Sequence, residues 1–129
     1  MLRVLDSTVL IDFLRGRRPA VARVAALRDH GDVPATTAIN IEEVVRGLRT
    51  RETEAVRRLF SGLVVLPIDV RAGWQAGTWR REYSARGVTL WQADCLLAAT
   101  TLIHGATLAT GNPKDFPMEE LEVDHWPAG

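Results

Sequence analysis

No apolar run in this chain exceeds five residues, Cys95 to Ala99, and such short runs alternate with longer stretches whose apolar positions follow helical spacing. A helix that crosses a bilayer needs roughly 20 apolar residues, so no membrane span is expected. The alternation predicts strands at Leu2 to Leu5, Val33 to Thr36, Leu63 to Leu66, Ala106 to Ala109 and Leu121 to Val123. Helices are expected at Ser7 to Leu14, Pro19 to His30, Asn40 to Arg49, Arg51 to Leu59, Val70 to Ala85 and Leu90 to His104. Pro19 suits a first helical turn, and Gly31, Gly62, Gly87 and Gly105 suit chain reversals just after helices. Thr89 to Gln92 has the spacing of a capping box, which would start the last long helix. Strands separated by one or two helices imply parallel, right-handed crossovers. The expected fold is therefore α/β: one domain over residues 1–129, with a central parallel sheet of four to five strands flanked by helices. A length of 129 residues suits a single core.

The 16 basic and 16 acidic side chains cancel, which excludes a uniformly basic surface for gripping nucleic acid but not a local patch. Residues 1–60 hold 11 Arg against 8 acids, a balance of +3; residues 61–129 hold 5 Lys and Arg against 8 acids, a balance of −3. Arg15, Arg17 and Arg18 lie together, as do Arg46, Arg49 and Arg51. Such clusters are ordinarily solvated helix faces, although Arg is well suited to phosphate. The opening stretch carries Asp6 and Asp12 where a signal peptide would be apolar, so a cytoplasmic protein is expected. The lone Cys95 excludes an intrachain disulfide framework and reads as a small buried hydrophobe. His30, His104 and His125 have no ligand spacing, and Trp74 and Trp79 read as packing or dimer-surface residues of one helix.

In open parallel sheets, ligands gather beyond the carboxyl ends of the strands. The first strand delivers Asp6, Ser7 and Thr8 there. The second leads into Asn40-Ile41-Glu42-Glu43, and the Ala106 to Ala109 strand into Thr110-Gly111-Asn112-Pro113-Lys114-Asp115. Asp94 sits near the start of the preceding helix. Each acid also has an ordinary explanation: Asp6 as a cap for the first helix, Glu43 and Asp115 as third residues of boxes capped by Asn40 and Asn112, and Asp94 as a partner of a helix dipole. Asp94 fits its explanation least, because it interrupts a helix that otherwise reads as nearly all buried, Trp91 included. A buried carboxylate needs a partner or a cation, and hard cations such as Mg²⁺ or Mn²⁺ take oxygen ligands.

These blocks resemble the PIN-domain ribonucleases, and among them the VapC-like toxins of bacterial toxin-antitoxin pairs. The resemblance runs through essentially the whole chain: Val4 to Gly16 is similar to the opening strand, first acid and helix; Glu43-Val44-Val45-Arg46-Gly47 to the second block; Asp94 to Ala99 to the third; and Gly105 to Phe116 to the fourth. Thr8 is a mild departure, since Asn or Ser is usual there. The resemblance implies a Mg²⁺- or Mn²⁺-dependent endoribonuclease that acts on structured cellular RNA such as tRNA or rRNA, is restrained by a cognate antitoxin, and forms a homodimer. On it, Asp6 and Asp94 are the main metal ligands, Glu43 and Asp115 further ligands or water positioners, and Thr8 and Asn112 polar supports. Arg15, Arg17, Arg18 and Arg46 are candidates for RNA contact.

Two other functions compete. A receiver-type phosphoacceptor domain has the same size and class, but it would want paired acids after the first strand, and Asp6 has no acidic neighbour. A PIN fold that binds RNA or protein without cleaving would be favoured by loss of one acid, and all four are present. The choice between Glu42 and Glu43 is open on the residues alone. A core stripe of Ile41, Val44, Val45 and Leu48 places Glu42 at its border and Glu43 nearly opposite. The family register selects Glu43, which a first-turn side chain leaning back toward the strand ends would permit.

Overall fold

Strands β1 to β5 are Leu2–Leu5, Val33–Thr37, Val64–Leu66, Thr107–Thr110 and Val123–His125 in the computed structural model, which describes residues 1–128. Helices α1 to α6 are Ser7–Leu14, Arg18–Asp29, Ala38–Gly47, Thr53–Ser61, Val70–Ala85 and Gln92–Ile103. The expected domain end at Gly129 lies outside the described residues. The strands form one sheet in the order β3-β2-β1-β4-β5, and every pairing is parallel. From β1 the chain builds outward through β2 and β3 and then crosses to β4 on the other side. Beyond the carboxyl ends of β1 and β4 the topology therefore reverses, which opens a crevice in sheets of this kind.

Alternation along the strands feeds two separate cores, as a sheet covered on both faces requires. Val4, Ala35 and Leu108 face α5 and α6, where they meet Trp79, Cys95 and Leu97. Leu5 and Ala109 face the other way and meet Val9, Leu10, Val24 and Val44 on α1 to α3. Full burial of a Leu or Val side chain contributes about 1.5–3 kcal/mol, so β1, with Val4 and Leu5 almost wholly enclosed, is the anchor of the layer stack. Ala72 and Ala76 on α5 lie in one cluster with Ala98 and Ala99 on α6, and small residues of this kind let two helices approach closely.

Several local expectations give way. The α3 helix begins at Ala38, two residues before Asn40, because Thr37 takes the N-cap position. The α6 helix begins at Gln92 with Trp91 as its N-cap and no side-chain cap bond, so the box at Thr89 does not form. Trp91 is 67% exposed, not part of the core. Trp79 is 2% exposed and donates its indole N–H to Glu120 Oε2 at 2.9 Å, which makes it a core residue and leaves Trp74 alone on the surface of α5. Gly31, Gly87 and Gly105 adopt positive φ after their helices, whereas Gly62 turns the chain at φ −90°. Among the described residues no helix is long and apolar enough to cross a membrane.

Candidate functional site

Asp6 lies between β1 and α1 as the N-cap of the helix, where its carboxylate does two things at once. Oδ1 accepts the N–H of Ser7 at 2.7 Å, so Asp6 is the expected helix cap. Oδ2 accepts hydroxyl protons from Thr110 at 2.8 Å and Thr8 at 3.2 Å. Both hydroxyls are held in that sense by the loop after β4, whose backbone N–H groups occupy their lone pairs: Gly111 donates to Thr8 and Asn112 donates to Thr110. Burial pushes the Asp6 carboxyl above its ordinary pKa, against the three hydrogen bonds that favour its charged form; repulsion from Glu43 adds to the rise.

Glu43 lies on α3, with Oε1 accepting the Ser7 hydroxyl proton at 2.7 Å. Glu42 is exposed and Glu43 half-buried. The buried positions of α3 are Asn40 and Val44, whereas Val45 is 48% exposed. With about 100° per residue, a stripe centred on Asn40 and Val44 puts Glu43 on its flank and Glu42 opposite, which reverses the conclusion drawn from a stripe that included Val45. Asn40 is not the cap of a box ending at Glu43. It sits inside the helix and accepts the Thr37 hydroxyl proton at 2.7 Å.

Asp94 occupies the first turn of α6, consistent with the dipole explanation. Its carboxyl is nevertheless pushed up to about 6, first by burial and then by repulsion from Asp6, Asp115 and Glu43. No opposing influence accompanies these causes. Asp6, Glu43 and Asp115, from the end of β1, α3 and the turn after β4, are the acids near enough to Asp94 to repel it. None of the five ion pairs among the described residues involves any of them. They are not packed into a closed ligand set: among the described residues no three His, Cys, Asp or Glu side chains form a ready-made metal cluster.

Asp115 closes a single 3-10 turn, Pro113–Asp115, and is exposed. The Asn112 side chain is exposed as well and caps nothing; its backbone N–H supports Thr110 instead. Thr110, Ser7 and Asn40 stand in the blocks that lead to the site, but the sequence assigns none of them a role in holding the acids. Asp6 N–H bonds to Ala109 O, which sets Thr110 beside Asp6 across the β1–β4 seam. Only that pairing, which the sequence does not state, could have identified it.

Arg15 lines a groove of about 330 Å³ together with Glu43, Arg49 and the apolar side chains of Ile11, Leu14 and Val56. Arg17 pairs with Asp12 at 3.4 Å, while Arg18 and Arg46 are exposed. His30 and His104 bond through Nδ1 to backbone carbonyls one turn back. Burial pushes the Cys95 thiol up to about 11, which suits an inert core residue.

The sequence matches the PIN domain family over residues 3–117. Ribonuclease VapC19 of Mycobacterium tuberculosis is 31% identical over 119 residues, which span 91% of this chain and 94% of that protein. Ribonuclease VapC10 of the same organism is 33% identical over 117 residues, 91% and 87% of the two chains. Among solved structures, DNA-bound VapBC from Salmonella typhimurium superposes with a TM-score of 0.85 at 21% identity, covering 98% of this chain and 99% of that one. VapBC2 from Rickettsia felis, bound to a promoter DNA fragment, gives 0.84 at 20% identity with the same coverage. At these identities the structural matches establish a shared fold.

Proposed function

Because this chain belongs to the PIN-domain family, we propose that it is a divalent-metal-dependent endoribonuclease toxin, restrained by a cognate antitoxin and acting on structured cellular RNA. The observation that carries this is the carboxylate of Asp6, held at the strand ends by Ser7, Thr8 and Thr110, with Glu43 tied to the same Ser7 and no ion pair among the described residues to Asp6, Glu43, Asp94 or Asp115. Its relatives named Ribonuclease VapC support the reaction class, and its VapBC structural neighbours support the antitoxin.

The donor set fits Mg²⁺ or Mn²⁺, since it offers only oxygens and its charges are uncompensated. Asp6 and Asp94 would hold the ion, with Glu43 and Asp115 as further ligands or as positioners of water. When bound, such an ion supplies Lewis-acid stabilisation of the phosphoryl oxygens and a more acidic water. Thr8 and Thr110 keep the Asp6 carboxylate aimed, while Ser7 steadies both Asp6 and Glu43. Arg15, which lines the groove beside Glu43, would bind phosphate there, and Arg46 would do so from the exposed surface of α3. The same uncompensated acids would receive a basic side chain of an antitoxin peptide. The deciding experiment incubates purified protein with total RNA and follows discrete cleavage products. Cleavage in Mg²⁺ that EDTA abolishes is the expected result; equal cleavage in EDTA would remove the metal, and no cleavage in either would favour a binding-only domain.

The exposed face of α5 supports a homodimer. Val70 and Trp74 are 77% and 75% exposed beside a hollow of about 540 Å³ lined also by Gly73, Gly77, Thr78 and Arg81, with none of the four acids in its wall. A bare Trp and a smooth Gly-lined hollow are complementary shapes for two copies. Light scattering should give twice the chain mass of 14.3 kDa, and Trp74→Lys should return the monomer mass while RNA cleavage per chain survives. A parent that scatters as a monomer at tens of micromolar would sink the assignment.

A further inference from the structure

Asn40 has no exposed surface, yet it is neither a cap nor an acid. A buried amide must be paired, and this one is paired at both ends. Thr37 donates its hydroxyl proton to Asn40 Oδ1 at 2.7 Å; Asn40 Nδ2 donates to Ser7 Oγ at 3.0 Å; Ser7 Oγ donates to Glu43 Oε1 at 2.7 Å. The directions follow from what each group can do. An amide NH₂ only donates, so Ser7 Oγ accepts from it and its single proton is left for Glu43. Were the amide turned over, Oδ1 would claim that proton, and Glu43 would lose its donor. Thr37 opposes the turn, because its hydroxyl is fully enclosed and its proton would be stranded. Ser7 meanwhile gives its backbone N–H to Asp6.

We propose that Asn40 is a positioning residue for the acid site. Through Ser7 it fixes the Glu43 carboxylate relative to Asp6, and so sets the spacing at which the two can share a divalent cation. The inference rests on the nuclease reading of these acids. Glu has three side-chain torsions, and the backbone of α3 alone does not choose among them. The relay supplies that choice from three elements at once: the end of β2, the first turn of α3 and the first residue of α1.

The test separates the acid from the metal. In metal-free protein labelled with ¹³C-glutamate, the side-chain carboxyl resonance of Glu43 is assigned by its disappearance in Glu43→Gln. Asn40→Ala should displace this resonance much as Ser7→Ala does, although only Ser7 touches Glu43. By calorimetry, Mn²⁺ affinity should fall about 10–100-fold in each variant, the usual loss when a group that orients a metal ligand is removed. The double variant should be no weaker than the weaker single variant, because both act through one chain of bonds. Losses that multiply, or an Asn40→Ala resonance left at the parent position, would overturn the relay. Should Asn40→Ala not fold, Thr37→Val takes its place: it touches neither acid, and an unmoved resonance there overturns the proposal equally. A parent that binds no Mn²⁺ refutes the metal reading instead, and the resonance then decides the relay by itself.

Discussion

Asp94→Asn should lower RNA cleavage by more than about 100-fold and at the same time make the metal-free protein more stable at neutral pH. The first effect follows from removing the charge that Asp6, Glu43 and Asp115 surround. The second follows from linkage. The folded-state pKa of about 6 stands above the ordinary 3.8, so the folded chain holds this proton more tightly than the unfolded one. Stability from this group therefore falls as pH rises from about 4 to about 6, and above that window the folded chain bears the whole penalty. With allowance for the solvent that reaches a half-buried group, the penalty is about 1–2 kcal/mol, or about 3–8 °C in Tm. Melting curves in EDTA should show the variant ahead of the parent at pH 7.5 and level with it near pH 4. Added Mg²⁺ should raise the parent more than the variant. Undiminished cleavage at saturating Mg²⁺, or a stability gap that widens toward acid, would contradict the assignment. Asp6→Asn is a different case. Its carboxylate accepts three hydrogen bonds, and an amide NH₂ would face a donor with a donor at a cost of about 1–3 kcal/mol. It should lose both activity and stability.

Glu43→Gln should lose cleavage by about 10–100-fold, whereas Glu42→Gln should stay within about twofold of the parent. Glu42 is exposed, while Glu43 reaches Ser7 and lies within the field of Asp6 and Asp94. Gln keeps an oxygen for the Ser7 proton, so both variants should melt with the parent. Metal-dependent cleavage assays on the pair decide the matter, and the reverse ranking would transfer the role to Glu42.

The layer stack was legible because apolar spacing reports it directly: β1, α1 and α5 have the bounds expected of them, and the remaining elements shift by one or two residues, with a single 3-10 turn, Thr50–Glu52, taking the expected start of α4. The acids were legible as sequence blocks, since Asp6, Asp94 and Asp115 each stand at the end or start of an element; Glu43, expected in a first helical turn, lies in the second turn of α3 because the helix begins at Ala38. What holds them was not. Pattern reading assigns polar residues to the surface, so Asn40 was left out of the α3 stripe and Val45 was put in, although Asn40 is enclosed and Val45 is open. Thr100 and Thr101 are hidden in the same way, each returning its hydroxyl proton to a carbonyl one turn back in α6. Trp91 was expected in the core and is exposed, because hydrophobicity alone does not say which side of a helix start meets the sheet; Trp79 is the packing residue its helix allowed, and Trp74 is left on the surface.

The bond between Thr110 and Asp6 spans 104 positions of the chain. During synthesis at about 5–20 residues per second, Asp6 is therefore joined to the chain roughly 5–20 s before the hydroxyl that aims it has been made. Until then β1 lacks its β4 neighbour, the loop that orients Thr8 and Thr110 does not exist, and Asp94 has only recently joined the chain. The geometry that aims Asp6 is thus completed only when nearly the whole chain has been made, so the acid group cannot take its final arrangement on a partly synthesised chain.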